Sequence, residues 1–203
     1  NILENPGWYT AYTPYQAEVA QGRLEALLNY QTVICDLTGM EISNASLLDE
    51  ATSAAEAMTM LYGCRSRDQI KNQVNKFIVS DDVFEQTLAV LQTRAEPLGI
   101  EIELRTTDSI KIDEKVFGCL VQYTGKTGKI NDLEALSRKI EKSNCRLVVA
   151  ADLMSLTVLK EPSAFNSDVV VGTSQRFGIP LGYGGPHAGY FATKMEYKRF
   201  IPG

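Results

Sequence analysis

The sequence predicts an α/β fold with a mainly parallel sheet flanked by helices. From Lys76 onward, short apolar runs alternate with amphipathic segments, and this alternation is typical of the strand–helix–strand units that build a parallel sheet. The chain has 203 residues, shows no internal repeat or low-complexity run, and is long enough to bury a large core. We therefore expect one domain over residues 1–203.

Two helices are predicted before Lys76. Thr13, Pro14 and Gln16 have the spacing of a capping box at the start of a helix that ends at Gly39. Apolar residues at near-helical spacing predict one buried stripe on this helix, made of Ala20, Leu24, Leu27, Leu28, Ile34 and Leu37. A second helix is predicted over about residues 48–62, with one apolar face made of Ala51, Ala54, Ala55, Met58 and Leu61.

The rest of the chain supplies the strands. The candidates are short runs rich in β-branched and aromatic residues, at 77–79, 100–104, 116–123, 147–151, 169–171 and 189–193. Amphipathic helices around residues 82–95 and 132–142 link the first four strands.

Composition argues against several classes of function. The chain has 20 Lys and Arg against 25 Asp and Glu, so its net charge of -5 does not suggest a nucleic-acid surface. No apolar run approaches the roughly 20 residues that span a bilayer. The cysteines lie far apart and predict free thiols in a reducing compartment, with no metal site. The chain begins at Asn1 and ends without a closing helix, so we expect a fragment of a longer protein.

A valine run followed by a glycine-rich loop, residues 168–187, is the most informative stretch. In enzymes that hold pyridoxal phosphate on a large α/β domain, the cofactor lysine commonly follows such a strand, because only an amine forms the Schiff base. Here the turn reads Thr173-Ser174-Gln175-Arg176. The amide of Gln175 forms no imine, and the guanidinium of Arg176 stays protonated. The sequence therefore predicts a cofactor-type fold without its covalent anchor.

Several motifs carry a resemblance to a known family. They are the stretch just described, residues 10–16, 21–25, 29–31 and 44–50, and together they span nearly the whole chain. The chain closely resembles the amino-terminal half of the glycine cleavage system P-protein family. The carboxy-terminal half of that family has His-Lys-Thr-Phe-Cys-Ile-Pro where this chain has Ser174-Gln-Arg-Phe-Gly-Ile-Pro180. Matching these segments puts Gln175 in the place of the lysine.

The resemblance implies both a fold and a role. The fold is that of the large domain of fold-type I pyridoxal-phosphate-dependent transferases. The family decarboxylates glycine on pyridoxal phosphate and passes the aminomethyl group to the lipoyl arm of the H-protein. The lysine-bearing half or subunit would hold the cofactor. This half would be non-catalytic and would shape the site and the dimer interface. The protein would lie in the cytoplasm of a bacterium or in the mitochondrial matrix of a eukaryote. The alternative is a purely structural assembly module with a closed pocket.

Candidate cofactor-binding residues have two interpretations each. Asp152 follows a strand near where this enzyme type places the aspartate that pairs with the pyridinium nitrogen, or it caps the strand end as a turn residue. Thr52 and Ser53 lie at a helix start where exposed amides would bind a phosphate. Asp49 and Glu50 stand beside them, and they either favour the helix terminus or repel a phosphate dianion.

Other residues are candidates for lining the site or an interface. Arg176, Gly184, Gly185 and His187 lie in the late loop, where each is either a ligand contact or an ordinary surface residue. Tyr12, Thr13, Tyr15 and Gln16, with Trp8 and Tyr9, form an aromatic segment that either packs as a hydrophobic staple or docks on the homologous half. A dinucleotide site on the late glycines is a weaker hypothesis, because that fingerprint belongs after the first strand.

Overall fold

A computed structural model describes residues 4–6 and 15–202 of the protein. Within these residues a sheet of seven strands forms, in the order β1-β7-β6-β5-β4-β2-β3. The strands are β1 Ile42–Ser43, β2 Lys76–Ser80, β3 Glu101–Arg105, β4 Val116–Tyr123, β5 Arg146–Ala151, β6 Val169–Thr173 and β7 Gly189–Thr193. Strands β2 to β6 pair in parallel, whereas β7 runs antiparallel to β6, and β1 runs antiparallel to β7. The predicted mainly parallel α/β fold is confirmed.

Helices cover both faces of the sheet. They are α1 Gln21–Thr38, α2 Glu50–Gly63, α3 Arg67–Lys71, α4 Glu85–Ala95 and α5 Leu133–Ile140. Helices α1 and α5 pack on one face around the core residues Ile34 and Leu136, and α2 and α4 pack on the other around Met58 and Leu91. The predicted apolar face of α2 is confirmed, because all five of its predicted members are buried.

The prediction for the first helix is partly wrong. Helix α1 begins at Gln21, because residues 15–20 form turns rather than a helix. Its predicted stripe is not buried along its whole length: Leu27 is 36% and Leu28 is 64% exposed. Only the carboxyl-terminal part of the helix, around Ile34, packs against the sheet. Helical periodicity predicts a helix with an apolar face but not what that face meets.

Two short elements were not predicted. Strand β1 has two residues and exists because Ile42 pairs with Thr193 of β7. Helix α3 has five residues and starts at a capping box between Ser66 and Gln69. Both are shorter than the window over which periodicity is read.

A close approach at Gly172 joins the carboxyl ends of β5 and β6 to the amino end of β7, which runs antiparallel to β6. A Cβ at this position would collide with the carbonyl of Ala151 and would lie 2.6 Å from the ring of Tyr190. The missing side chain leaves room for the buried Tyr190 hydroxyl, which donates to the Ala151 carbonyl at 2.7 Å. This contact ties together the edge of the sheet where the parallel strands end.

None of the helices in the described part of the chain has the length and apolar character needed to cross a membrane. Cys119 and Cys145 are buried free thiols, and Cys35 and Cys64 are partly buried free thiols.

Candidate functional site

A cavity of about 270 Å³ lies at the edge where the parallel strands end. In open α/β sheets, ligands bind in the crevice outside the carboxyl ends of the strands. The cavity lies between the start of α2, the start of α4 and the turn after β6, and its walls include Asp49, Glu50, Phe84, Thr173, Gln175 and His187. It therefore brings together the predicted lysine position and the predicted phosphate position.

A larger cavity, of about 790 Å³, lies at the opposite edge near α3 and the start of β4. One of its acidic residues, Asp113, is already paired with Lys76 at 3.0 Å, and its Lys115 donates to the carbonyl of Asn72 at 2.6 Å. These two charged groups are thus engaged with neighbouring groups of the protein. We therefore place the candidate site at the carboxyl edge.

The start of α2 is capped by its own side chains. Asp49 accepts a hydrogen bond from the Thr52 amide at 2.7 Å, which is an N-cap contact. The fully buried Ser53 donates its hydroxyl to the Asp49 carbonyl at 2.8 Å. The groups that made Thr52 and Ser53 phosphate candidates are thus engaged within the helix, as the capping interpretation of Asp49 expects.

Glu50 is a partly buried carboxyl with one amide partner. The Gln122 side chain, from the end of β4, donates to it at 3.2 Å. Burial raises the pKa of Glu50 to about 7; the bond from Gln122 opposes this rise, and the charges of Asp152 and Asp49 add to it. Gln122 is only 1% exposed, and its side-chain oxygen has no hydrogen-bond partner among the described residues. A carboxyl group whose negative charge is poorly compensated therefore forms one wall of the cavity.

The turn after β6 places Gln175 opposite this wall. Ser174 bonds through its amide and its hydroxyl to the carbonyl of Ala188, at 2.8 and 3.0 Å, which closes the base of the loop. Gly185 has a φ of 73°, and a Cβ there would lie 2.7 Å from the side-chain nitrogen of Gln175. Glycine at position 185 therefore lets the loop fold closely over Gln175.

Asp152 and Arg176 form an ion pair at the mouth of the site. Arg176 donates to the Asp152 carboxylate through two nitrogens, at 2.9 and 3.1 Å. The same carboxylate accepts the amide of Met154 at 2.9 Å, so Asp152 also acts as the turn residue that one interpretation expects. Arg176 is therefore not simply a solvated surface residue. It pairs with Asp152, the residue that was the candidate partner of the cofactor ring nitrogen.

The remaining candidates divide into three groups. His187 lines the cavity, and Gly184 lies in the loop beside it. Tyr15 and Gln16 are exposed residues before α1, and neither is among the residues that line the cavity. Tyr12 and Thr13, with Trp8 and Tyr9, lie outside the described residues.

Sequence reasoning did not identify Gln122, nor Phe84 and Thr87 of the cavity wall. The sequence did contain a signal for Gln122, because it is a polar residue within the mainly apolar run of residues 116–123. The strand formed by this run is buried along its whole length. The glycine loop leads into the antiparallel strand β7 and not into a helix, so it does not form the strand–loop–helix arrangement of a dinucleotide site.

The residues present do not fit pyridoxal phosphate. The cavity has an amide, Gln175, at the position predicted for the lysine, no lysine or arginine among its described lining residues, and two carboxyl groups, Asp49 and Glu50, at the position predicted for the phosphate. Asp152, the candidate for the ring nitrogen, is already paired with Arg176.

Comparison with known proteins agrees on one family. A family model described as glycine cleavage system P-protein matches residues 1–203. A glycine dehydrogenase (decarboxylating) of Flavobacterium johnsoniae is 57% identical over 203 residues, which is 100% of this chain and 21% of that protein. The chain therefore spans about a fifth of the length of the curated relatives it matches.

Solved structures extend the likeness to the fold. A crystal structure of glycine decarboxylase (P-protein) of the glycine cleavage system, in inhibitor-bound form, matches with a TM-score of 0.86 and 38% identity, covering 96% of this chain and 44% of that chain. A putative O-acetylhomoserine (thiol)-lyase from Campylobacter jejuni, solved with a pyridoxyl-lysine monophosphate, matches with a TM-score of 0.67. It is 14% identical and covers 100% of this chain and 51% of that chain, so it shows the fold alone.

Proposed function

The chain belongs to the glycine cleavage system P-protein family, and on that premise we propose that it is the non-catalytic part of a glycine decarboxylase, the part that lacks the Schiff-base lysine. The parent enzyme would decarboxylate glycine with pyridoxal phosphate and transfer the aminomethyl group to the lipoyl group of the H-protein. The cofactor would be held by the homologous lysine-bearing half or subunit. Residues 1–203, as one α/β unit, would shape the mouth of that site and contribute interface.

One observation supports this proposal: the cavity at the carboxyl edge is lined by Gln175, at the position predicted for the lysine, and by Asp49 and Glu50, at the position predicted for the phosphate. Chemistry that needs a covalent link to an aldehyde cannot begin on an amide. The parent reaction would therefore depend on the other half of the enzyme. The two compartments open to it are the bacterial cytoplasm and the mitochondrial matrix.

Trapping with borohydride tests the non-catalytic role. The chain is incubated with pyridoxal phosphate, reduced, digested and mapped by mass spectrometry. Nα-acetyllysine, whose side-chain amine is free, is treated at the same concentration to measure the background. We expect every lysine to be modified only at the background level. Stoichiometric modification of one lysine would contradict the proposal.

The contribution to an interface is supported by exposed apolar side chains. Val19 just before α1 and Leu28 within it are 70% and 64% exposed, and Leu181 in the late loop is 75% exposed. These apolar side chains are available for burial against a partner. The alternative of an assembly module with a closed pocket shares this support, but the open cavity beside Gln175 favours a site-shaping role over a closed one.

A further inference from the structure

We propose that Glu50 excludes phosphate-bearing cofactors from the cavity at the carboxyl edge, so that a lysine at position 175 would not restore their binding by itself. The inference rests on the proposed function, because it takes this cavity as the counterpart of the cofactor site in the lysine-bearing half. Glu50 would thus determine which ligands the cavity accepts through its negative charge. This effect is separate from the absence of a lysine amine at position 175.

The position of Glu50 determines this effect. Glu50 is the first residue of α2 and lines the same cavity as Gln175. A helix start without acidic side chains attracts an anion through its free amides and its dipole. Here Asp49 already accepts the Thr52 amide, and Glu50 adds a second carboxylate. A phosphate dianion placed at this helix start would face two negative charges.

Glu50 is also held in place. Gln122 donates to it at 3.2 Å and is itself 1% exposed, so the Glu50 carboxyl is bound to a side chain that is fixed in the core. Asp49 differs, because its carboxylate is occupied in capping the helix and its removal would weaken α2. Glu50 is therefore the group whose charge can be removed with the least change to the fold.

No cation among the described residues near the site neutralises Glu50. The described residues that line the cavity include no lysine or arginine, and Arg176 is paired with Asp152. Other titratable groups facing Glu50 are Asp49 from its own element, Asp152 from the end of β5 and Tyr190 from β7, with His187 on the cavity wall. Because burial brings the pKa of Glu50 to about 7, its repulsion of an anion should grow as pH rises through that value.

Three variants of the 203-residue chain test the assignment. The first is Gln175→Lys, the second is Gln175→Lys with Glu50→Gln, and the third is Gln175→Lys with Glu56→Gln. Glu56 lies on the same helix but pairs with Arg94 at 3.5 Å, so its replacement removes an equal charge away from the cavity. Titration with pyridoxal phosphate is followed by imine absorbance at about pH 6 and about pH 8, on either side of the Glu50 pKa. Circular dichroism checks that each variant is folded.

We expect the double variant with Glu50→Gln to bind up to about tenfold tighter than Gln175→Lys at the higher pH and nearly equally at the lower, because protonating a carboxyl of pKa about 7 costs about a factor of ten at about pH 8. The double variant with Glu56→Gln should match Gln175→Lys at both values. All three variants carry the same introduced lysine, so the ratio of dissociation constants isolates Glu50 from the titration of the amine.

A second measurement keeps the test independent of whether the introduced amine reaches the aldehyde. Calorimetry with inorganic phosphate compares the native chain with Glu50→Gln, and a gain of about tenfold is again expected at the higher pH. Ratios near one in both experiments would overturn the role of Glu50. So would the absence of measurable binding by every variant in both experiments. They would leave the proposed function standing, since that fails only if the native chain itself traps the cofactor on a lysine.

Discussion

A buried carboxyl group lies near one end of β6 and a partly buried one near the other, and the two differ in how well their charges are compensated. Asp168, just before the strand, is 6% exposed and accepts the Leu147 amide at 2.8 Å, the Lys194 ammonium at 3.0 Å and the Tyr197 hydroxyl at 3.2 Å. Glu50, beyond the other end, has one amide partner and acidic neighbours.

The difference separates a structural carboxylate from one that shapes a pocket. A buried charge that is fully hydrogen-bonded and paired joins elements of the fold, and the loss of its partner is costly. A buried charge left short of partners instead influences what can bind beside it. Three predictions test this contrast.

The largest effect is expected at the amino end. Replacement of Asp168 by Ala should lower the free energy of unfolding by about 3 to 5 kcal/mol, because a buried amide and an ammonium lose their partner together. Urea denaturation measures it. Asp108→Ala is the matched control, since the Asp108 carboxylate and Lys129 are exposed, and it should cost less than about 1 kcal/mol. Equal losses in the two variants would remove the contrast between the ends of β6.

A smaller effect with a distinct pH dependence is expected at Glu50. Its pKa in the folded state is about 7, which lies above the ordinary carboxyl value of 4.5. Between pH 4.5 and about pH 7 the folded state therefore keeps a proton on Glu50 that the unfolded state has lost. The native chain loses stability as the pH rises through this range. The advantage of Glu50→Gln over the native chain should therefore grow by about 2 kcal/mol between about pH 5 and about pH 8. Thermal or urea unfolding at both values measures the change. A difference that does not vary with pH would show that the charge of Glu50 is not destabilising.

The smallest effect is expected at the mouth of the site. The Arg176 side chain is 58% exposed, so its ion pair with Asp152 is screened by solvent. Arg176→Ala should lower the free energy of unfolding by less than about 1 kcal/mol, and added salt should reduce that loss further. Urea titrations at low and high ionic strength provide the test. A loss comparable to that of Asp168→Ala would place Arg176 among the structural groups instead.

Much of the fold follows from local sequence pattern. The strands of residues 116–123 and 189–193 have the predicted bounds, and the other predicted strands overlap those observed. Except in the largely exposed edge strand β3, their β-branched and aromatic runs predict burial on both faces, which is typical of strands in a covered sheet. The starts of α1 and α4 lie three or more residues later than predicted, because helix ends depend on capping and on what the first turn packs against.

The candidate site was predictable only as separate parts. Gln175, Asp49, Glu50 and His187 were identified one at a time from their sequence neighbours. That they share one cavity, and that Gln122 holds Glu50, depends on which strands end side by side, and residues 50 and 122 are 72 positions apart. Spacing along the chain contains no information on such a contact.

By itself, the sequence determined the fold class, the missing amine after the valine run and the family to which the chain belongs, because each is a matter of residue type and local order. Tertiary structure alone decided that Arg176 pairs with Asp152, that part of α1 leaves its apolar face exposed and that Glu50 is partly buried beside Gln122. The physical reason is that burial and charge compensation depend on distances through space, which are set only when the sheet brings distant strands together.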